Sequence, residues 1–383
     1  MRRTVHVITP GDHYSPRTGS AVPTVVHGLN SSMRGGRATV RVARGTYADR
    51  YDDATIDEYE PVADPGAWNR RLDVLRAPLG LARSTAGPWA AALADQDRWE
   101  PSVVILHNAP QAVGLVARPH TPVLYAHNEL FRTYTQREAG RVIGDVGAVV
   151  CVSDFLAERT ADRLPRALRD RVHVIRNGVD TARFRPGPAF PKGQGELHVV
   201  FVGRTIPDKG PDILLQAVEL LDRADIRATV VGSAGFSATA PLTSYERQVR
   251  ARADRIGRRA TVLPFVPRPE VPGLLATADV VVVPSVWPDP CPLTVLEGMA
   301  AGAAIVASAV GGIPEVVGDA GALVDAGDAR ALADALERLA EDPRTLEAAR
   351  SRARARAEGR DWAVASAELD TLLRSIRPAG APG

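Results

Sequence analysis

At 383 residues, with 45% hydrophobic and 24% charged side chains, the chain has the balance of a globular protein and the length of two domains, which excludes a disordered or collagen-like polypeptide. Its 47 basic and 45 acidic residues leave a formal charge of +2, without the basic excess or stripe of a dedicated nucleic-acid binder. Two cysteines, Cys151 and Cys291, are too few for a disulfide framework and lack zinc-site spacing; no run reaches the ~18 apolar residues of a membrane span, and the apolar run after Arg3 is too short for a signal peptide. A cytoplasmic setting is expected, with membrane contact at most peripheral.

Along the chain, short β-branched runs alternate with amphipathic segments. The runs predict strands over 5–9, 38–43, 103–107, 123–127, 148–153 and 172–176, and then over 197–202, 228–231, 261–266, 280–283 and 304–307. Helical periodicity falls at 22–33, 212–221, 245–256, 293–301 and 329–339. Continuous apolar strands alternating with helices imply parallel sheets covered on both faces, an α/β architecture of two Rossmann-like, doubly wound domains. The seam lies near 180–190, where the segment 184–195 gathers Pro186, Pro188, Pro191, Gly187, Gly193 and Gly195, so the domains run over 1–180 and 190–358. All eight histidines lie at or before His198, a further sign that the halves differ in chemistry.

Ligands of open parallel sheets bind at the carboxyl ends of the strands, and there the polar clusters fall. After the first strand, Gly11 and Gly19 are too far apart for a dinucleotide turn, while His13, Tyr14 and Arg17 are candidates for acceptor contacts. The mixed cationic and aliphatic segment 70–83 could rest on an anionic membrane, although Pro78 and Gly80 interrupt it; Arg118 and His120 read as surface loop. After the run 197–202 comes Gly203-Arg204-Thr205-Ile206-Pro207-Asp208-Lys209-Gly210, directly before a helix. It holds one of only two lysines, the other being Lys192, and a guanidinium and an ammonium beside a helix N-terminus suit a diphosphate. The turn lacks the Walker spacing, which disfavours ordinary ATP hydrolysis.

The stretch Asp289 to Gly302 sets a proline at the expected first turn of a helix, exposing the amides of Leu293 and Thr294 to an anion. Asp289 lies before that helix and Glu297 within it, two carboxylates able to accept hydrogen bonds from the hydroxyls of one ligand. The arginine-rich run 350–360 reads as an exposed helix face.

The Gly-Arg…Lys-Gly turn, the carboxylate-x7-carboxylate run closing in Glu-Gly-Met-Ala-Ala-Gly, and Gly311-Gly312-Ile313-Pro314-Glu315 together resemble the retaining glycosyltransferase family 4. The resemblance implies a GT-B fold, with two Rossmann-like domains facing across an interdomain cleft and a closing helix at 361–376 returning to the first. It implies that Arg204 and Lys209 hold the donor's diphosphate, Glu297 the ribose, and Asp289 the transferred sugar, helped by main chain around Cys291, Pro292, Leu293 and Thr294. The strand end near Val266 to Arg268 would meet the nucleobase, Gly19 would approach the donor, and His127 would be the active-site histidine. The family usually has Glu where Asp289 stands, and Gly-Gly where Thr18-Gly19 stands.

The expected reaction is transfer of a hexose or N-acetylhexosamine from a nucleoside-diphosphate sugar, UDP-linked for preference, to a hydroxyl of a small molecule or glycan, in secondary-metabolite or glycoconjugate biosynthesis. Catalytic roles fall on His127, Arg204, Lys209 and Asp289, with no metal and no cofactor beyond the nucleotide sugar. Retention would follow a front-face route, since no residue marks itself as a nucleophile. Alternatives left open are a GT-B-like epimerase or phosphorylase and a non-catalytic sugar-nucleotide-binding protein.

Overall fold

Parallel pairing governs both sheets of the protein, seen in a computed structural model that describes residues 3–33, 36–63, 72, 86–187 and 196–376. The segment 70–83, apart from Leu72, lies outside the described residues, as do Lys192 and the later part of the linker, 188–195.

The chain divides into two compact units: Met1–Pro16, Ser20–Asn177 and Trp362–Gly383 form one, Arg17–Gly19 and Gly178–Asp361 the other. The first unit contains β1 (Arg3–Val7), β2 (Thr39–Ala43), β3 (Thr55–Tyr59), β4 (Ser102–His107), β5 (Thr121–Ala126), β6 (Ala148–Cys151) and β7 (Val172–Val174). Their order across the sheet is β3-β2-β1-β4-β5-β6-β7. The chain thus moves outward from β1 to β3, then returns to the other side of β1, with Val5 beside Val104. The central strands β4, β5 and β6 are buried at every position, the burial of a sheet covered on both faces. Part of that cover is a pair of helices, Ala21–Ser31 and Trp362–Ser375. They meet where Gly28 leaves room for the Trp362 ring, since a Cβ at Gly28 would lie 2.2 Å from it.

The second unit contains β8 (Leu197–Val202), β9 (Ile226–Val231), β10 (Ala260–Leu263), β11 (Val280–Val283), β12 (Ala304–Ser308) and β13 (Ala322–Val324), in the order β10-β9-β8-β11-β12-β13. Its core joins Val199, Phe201, Val230, Val280 and Val306 to the apolar faces of helices Pro211–Leu221 and Ala329–Glu341. Full burial of each such side chain contributes roughly 1.5–3 kcal/mol.

Three expectations need correction. β3 and β13 escape sequence reading because TIDEY carries two carboxylates at a sheet edge and ALV is only three residues long, so neither shows the continuous apolar run of a central strand. The arginines of 350–360 are not all solvated. On the helix Pro343–Glu358, Arg350 donates to the Gly302 carbonyl, Arg354 to those of Phe184 and Ala300, and Arg356 to those of Glu315 and Val316. They bind loop and helix-end carbonyls that lack partners of their own. Likewise His120 is buried, accepting from the Ser102 amide and bonding the Gln96 carbonyl.

Candidate functional site

In the second unit the chain order β8-β9-β10 runs to one side and β11-β12-β13 to the other, so the topological switch point falls between β8 and β11. A crevice opens at the carboxyl ends of the strands at such a point, because the loops leaving the two strands turn in opposite directions. Here those loops are 203–210 and 284–292. They are stitched together by backbone: the amides of Val286 and Trp287 both donate to the Asp208 carbonyl, at 3.0 and 3.3 Å. Gly210 adopts φ +65° against Pro284, whose carbonyl oxygen would lie 2.1 Å from a Cβ, so only glycine fits the turn.

This stitching brings Lys209, eighty residues away in sequence, into an ion pair with Asp289. The side chains are 33% and 13% exposed, enough for both to reach a ligand. Asp289 is itself held from below. Gly311, at φ +64°, packs on its backbone so closely that a Cβ would meet the Asp289 nitrogen at 2.7 Å, and the Gly312 amide donates to the Asp289 carbonyl at 2.9 Å. Cys291 is buried and forms no disulfide. Pro292 is the residue just before the helix Leu293–Ala300, not its first turn; the amides of Leu293 and Thr294 remain in the first turn, without helical carbonyl partners. The Thr294 hydroxyl donates to the Val202 carbonyl, fastening the helix start to the end of β8.

Beside these loops is a pocket lined by Gly19, Gly203, Arg204, Phe265, Val266 and Glu297. Gly19 belongs to this unit by its contacts, and a side chain there would press on the Phe236 and Phe265 rings at 3.1–3.2 Å. Arg204 is exposed, with its Nε tethered to the Ala234 carbonyl, which leaves the terminal nitrogens of the guanidinium outward. Glu297 is only 3% exposed and forms an ion pair with Arg268, itself over the Phe184 ring. The two phenylalanines and the Arg268 pairing escape sequence reading: lone aromatics after strands look like core, and the ion pair spans twenty-nine positions.

The first unit holds the other predicted residues, apart from Arg17, which is exposed and grouped with the second unit. His13 stacks on Tyr47 and accepts its amide hydrogen at 3.0 Å. Tyr14 is fully buried and donates to Asp53 at 2.8 Å, so it is a core residue and the acceptor contact expected of it is corrected. His127 follows β5 and is 8% exposed, with its amide donating to the Asn108 side chain at 2.7 Å; burial lowers its pKa to about 3, so the ring is neutral at pH 7. Among the described residues no group of three or more His, Cys, Asp or Glu is arranged to hold a metal, and no helix is long and apolar enough to cross a membrane.

Residues 22–183 match the family described as Glycosyltransferase Family 4, and residues 196–342 that described as Glycosyl transferases group 1. The D-inositol 3-phosphate glycosyltransferase of Xylanimonas cellulosilytica is 34% identical, over 94% of this chain and 94% of that protein. Its counterpart in Rhodococcus opacus is 31% identical, over 95% of this chain and 87% of that one. The structure of HepE from Anabaena, solved with UDP and glucose, superposes with a TM-score of 0.74 at 20% identity, covering 98% of this chain and all of that one; the shared fold is GT-B.

Proposed function

The chain belongs to glycosyltransferase family 4, and from that premise we propose that its second unit binds a nucleoside-diphosphate sugar, UDP-linked, and that the enzyme transfers the sugar with retention and without a metal. The observation that carries this reading is the convergence, at one switch point, of Arg204, the Lys209–Asp289 pair and the first turn of the helix Leu293–Ala300. Two cations and a set of free amides suit a diphosphate. In this reading Asp289, paired with Lys209, accepts from hydroxyls of the transferred sugar, and Glu297 from those of the ribose. The Phe236 and Phe265 rings offer an apolar wall to the base.

In the reaction, the bond between the anomeric carbon and the phosphate oxygen breaks, and the charge that develops on the diphosphate is met by Lys209 and Arg204. Preorganised cations lower the barrier because they need not reorient as the charge grows, which leaves a divalent ion no task. The acceptor oxygen bonds to the same face of the sugar as the departing phosphate, and its proton passes to that phosphate oxygen. For the acceptor, the two D-inositol 3-phosphate glycosyltransferases among the relatives make a phosphorylated cyclitol the first choice.

The test incubates UDP-sugars with a panel of acceptors that includes inositol 3-phosphate, with and without EDTA, reading UDP release and product mass. Activity that survives EDTA and falls about 10²-fold or more in Lys209→Ala, at unchanged melting temperature, supports the reading; full activity in Lys209→Ala sinks the donor assignment.

A further inference from the structure

Three of the histidines of the first unit stand in line at the carboxyl ends of β1, β4 and β5. His6 Nδ1 lies 3.0 Å from His107 Nε2, and His107 Nδ1 lies 2.9 Å from His127 Nε2. The rings stack at interplanar angles of 23° and 22°. His6 and His107 are wholly buried, and burial holds all three neutral: it lowers His6 to about 4, His127 to about 3, and His107 well below its ordinary value. A neutral imidazole has one N–H and one lone pair. In an unbroken chain the tautomer of each ring therefore dictates that of the next, and only two arrangements exist, of opposite polarity.

What selects between them lies at the His6 end. The Tyr14 hydroxyl donates to Asp53 Oδ2 at 2.8 Å, and Asn30 Nδ2 donates to the Tyr14 oxygen at 3.4 Å. A carboxylate accepts and does not donate, so the phenol must spend its proton on Asp53 and can only accept from Asn30. The amide of Asn30 is thereby oriented, with Oδ1 left as an acceptor. His6 Nε2 and Asn30 Oδ1 are both buried and neither has a hydrogen-bond partner, while the Asn30 side chain favours the protonated form of His6. An N–H on His6 Nε2 answers that oxygen; the opposite polarity would set two buried lone pairs against each other, the costlier choice.

We propose that Asp53, acting through Tyr14, Asn30, His6 and His107, holds His127 as the Nε2–H tautomer, so that it meets a substrate hydroxyl with a bare Nδ1 lone pair, as a hydrogen-bond acceptor. The five are positioning residues. No hydrogen bond occupies His127 Nδ1 among the described residues. The substrate-facing role of His127 rests on the function proposed above; the tautomer does not.

The experiment is a two-bond ¹H–¹⁵N correlation spectrum of the full-length protein labelled at histidine, at pH 7.5, with signals assigned by single His→Gln variants. The expected result is one pattern, protonated Nε2 and unprotonated Nδ1, at all three rings. Loss of that uniformity at His127 is expected in Asn30→Leu and, where that variant fails to fold, in the isosteric Asp53→Asn. A protonated Nδ1 on His127 in the wild type overturns the inference, as does an unchanged His127 signal in both variants. Full transferase activity in His127→Phe would instead sink the substrate-facing role of His127 and leave the tautomer result standing.

Discussion

Glu297 shows how a single residue can serve stability and ligand binding together. Its carboxylate is nearly enclosed and faces the Arg268 guanidinium, which is 14% exposed, so truncation to alanine removes the carboxylate from a largely enclosed cation, at a cost of at most roughly 3–5 kcal/mol. Loss of activity in Glu297→Ala would then mix unfolding with loss of a donor contact. Adding Arg268→Ala should restore much of the stability while donor affinity stays weak, a separation that urea titration and UDP calorimetry of the double-mutant cycle would measure. Recovery of both together would mean that Glu297 acts only through Arg268. The carboxylates at 289 and 297 and the cations at 204 and 209 were legible as types and spacings. That Lys209 pairs with Asp289, and Glu297 with Arg268, was not, because the partners lie 80 and 29 positions apart in the chain.

Among the elements, the two outer helices of the first unit depend on one small residue. Gly28 costs the helix Ala21–Ser31 some backbone entropy, yet it admits the Trp362 ring to a distance that no side chain allows. Gly28→Val should therefore destabilise the first unit by about 1–3 kcal/mol, read as a lower melting temperature, although valine suits a helix better than glycine does. An unchanged melting temperature would mean that the C-terminal helix docks elsewhere. The same long-range logic explains why the arginine run 350–360 misleads: with 45 arginines against two lysines, charge alone cannot distinguish a solvated guanidinium from one bound to a neighbouring carbonyl.

At the scale of the whole molecule, the two units should answer different perturbations, since seven of the eight histidines precede Asn177 and the residues proposed to bind the donor, apart from Gly19, follow it. His6 and His127 have folded-state pKa values of about 4 and about 3, below the value near 6.5 of an unfolded chain. The unfolded state thus binds the extra protons, and the stability these rings contribute is complete above pH 6.5 and lost as the pH falls from there toward 4 and 3. The slope is about 1.4 kcal/mol per pH unit for each histidine. Calorimetry should find acid lowering the transition of the first unit, while UDP at a hundred times its Kd raises that of the second by about 2.7 kcal/mol; a pH-independent first transition between 7.5 and 5 would contradict the burial of the histidine line. Sequence by itself determined the α/β class, the repeated unit and the residue types at the proposed donor site, because strand hydrophobicity, glycine turns and charged loop residues are local properties written over a few positions. Only the tertiary structure decided which carboxylate meets which cation, that Tyr14 is core, and that three scattered histidines form one hydrogen-bonded line, because those facts depend on which strands the parallel sheet sets side by side.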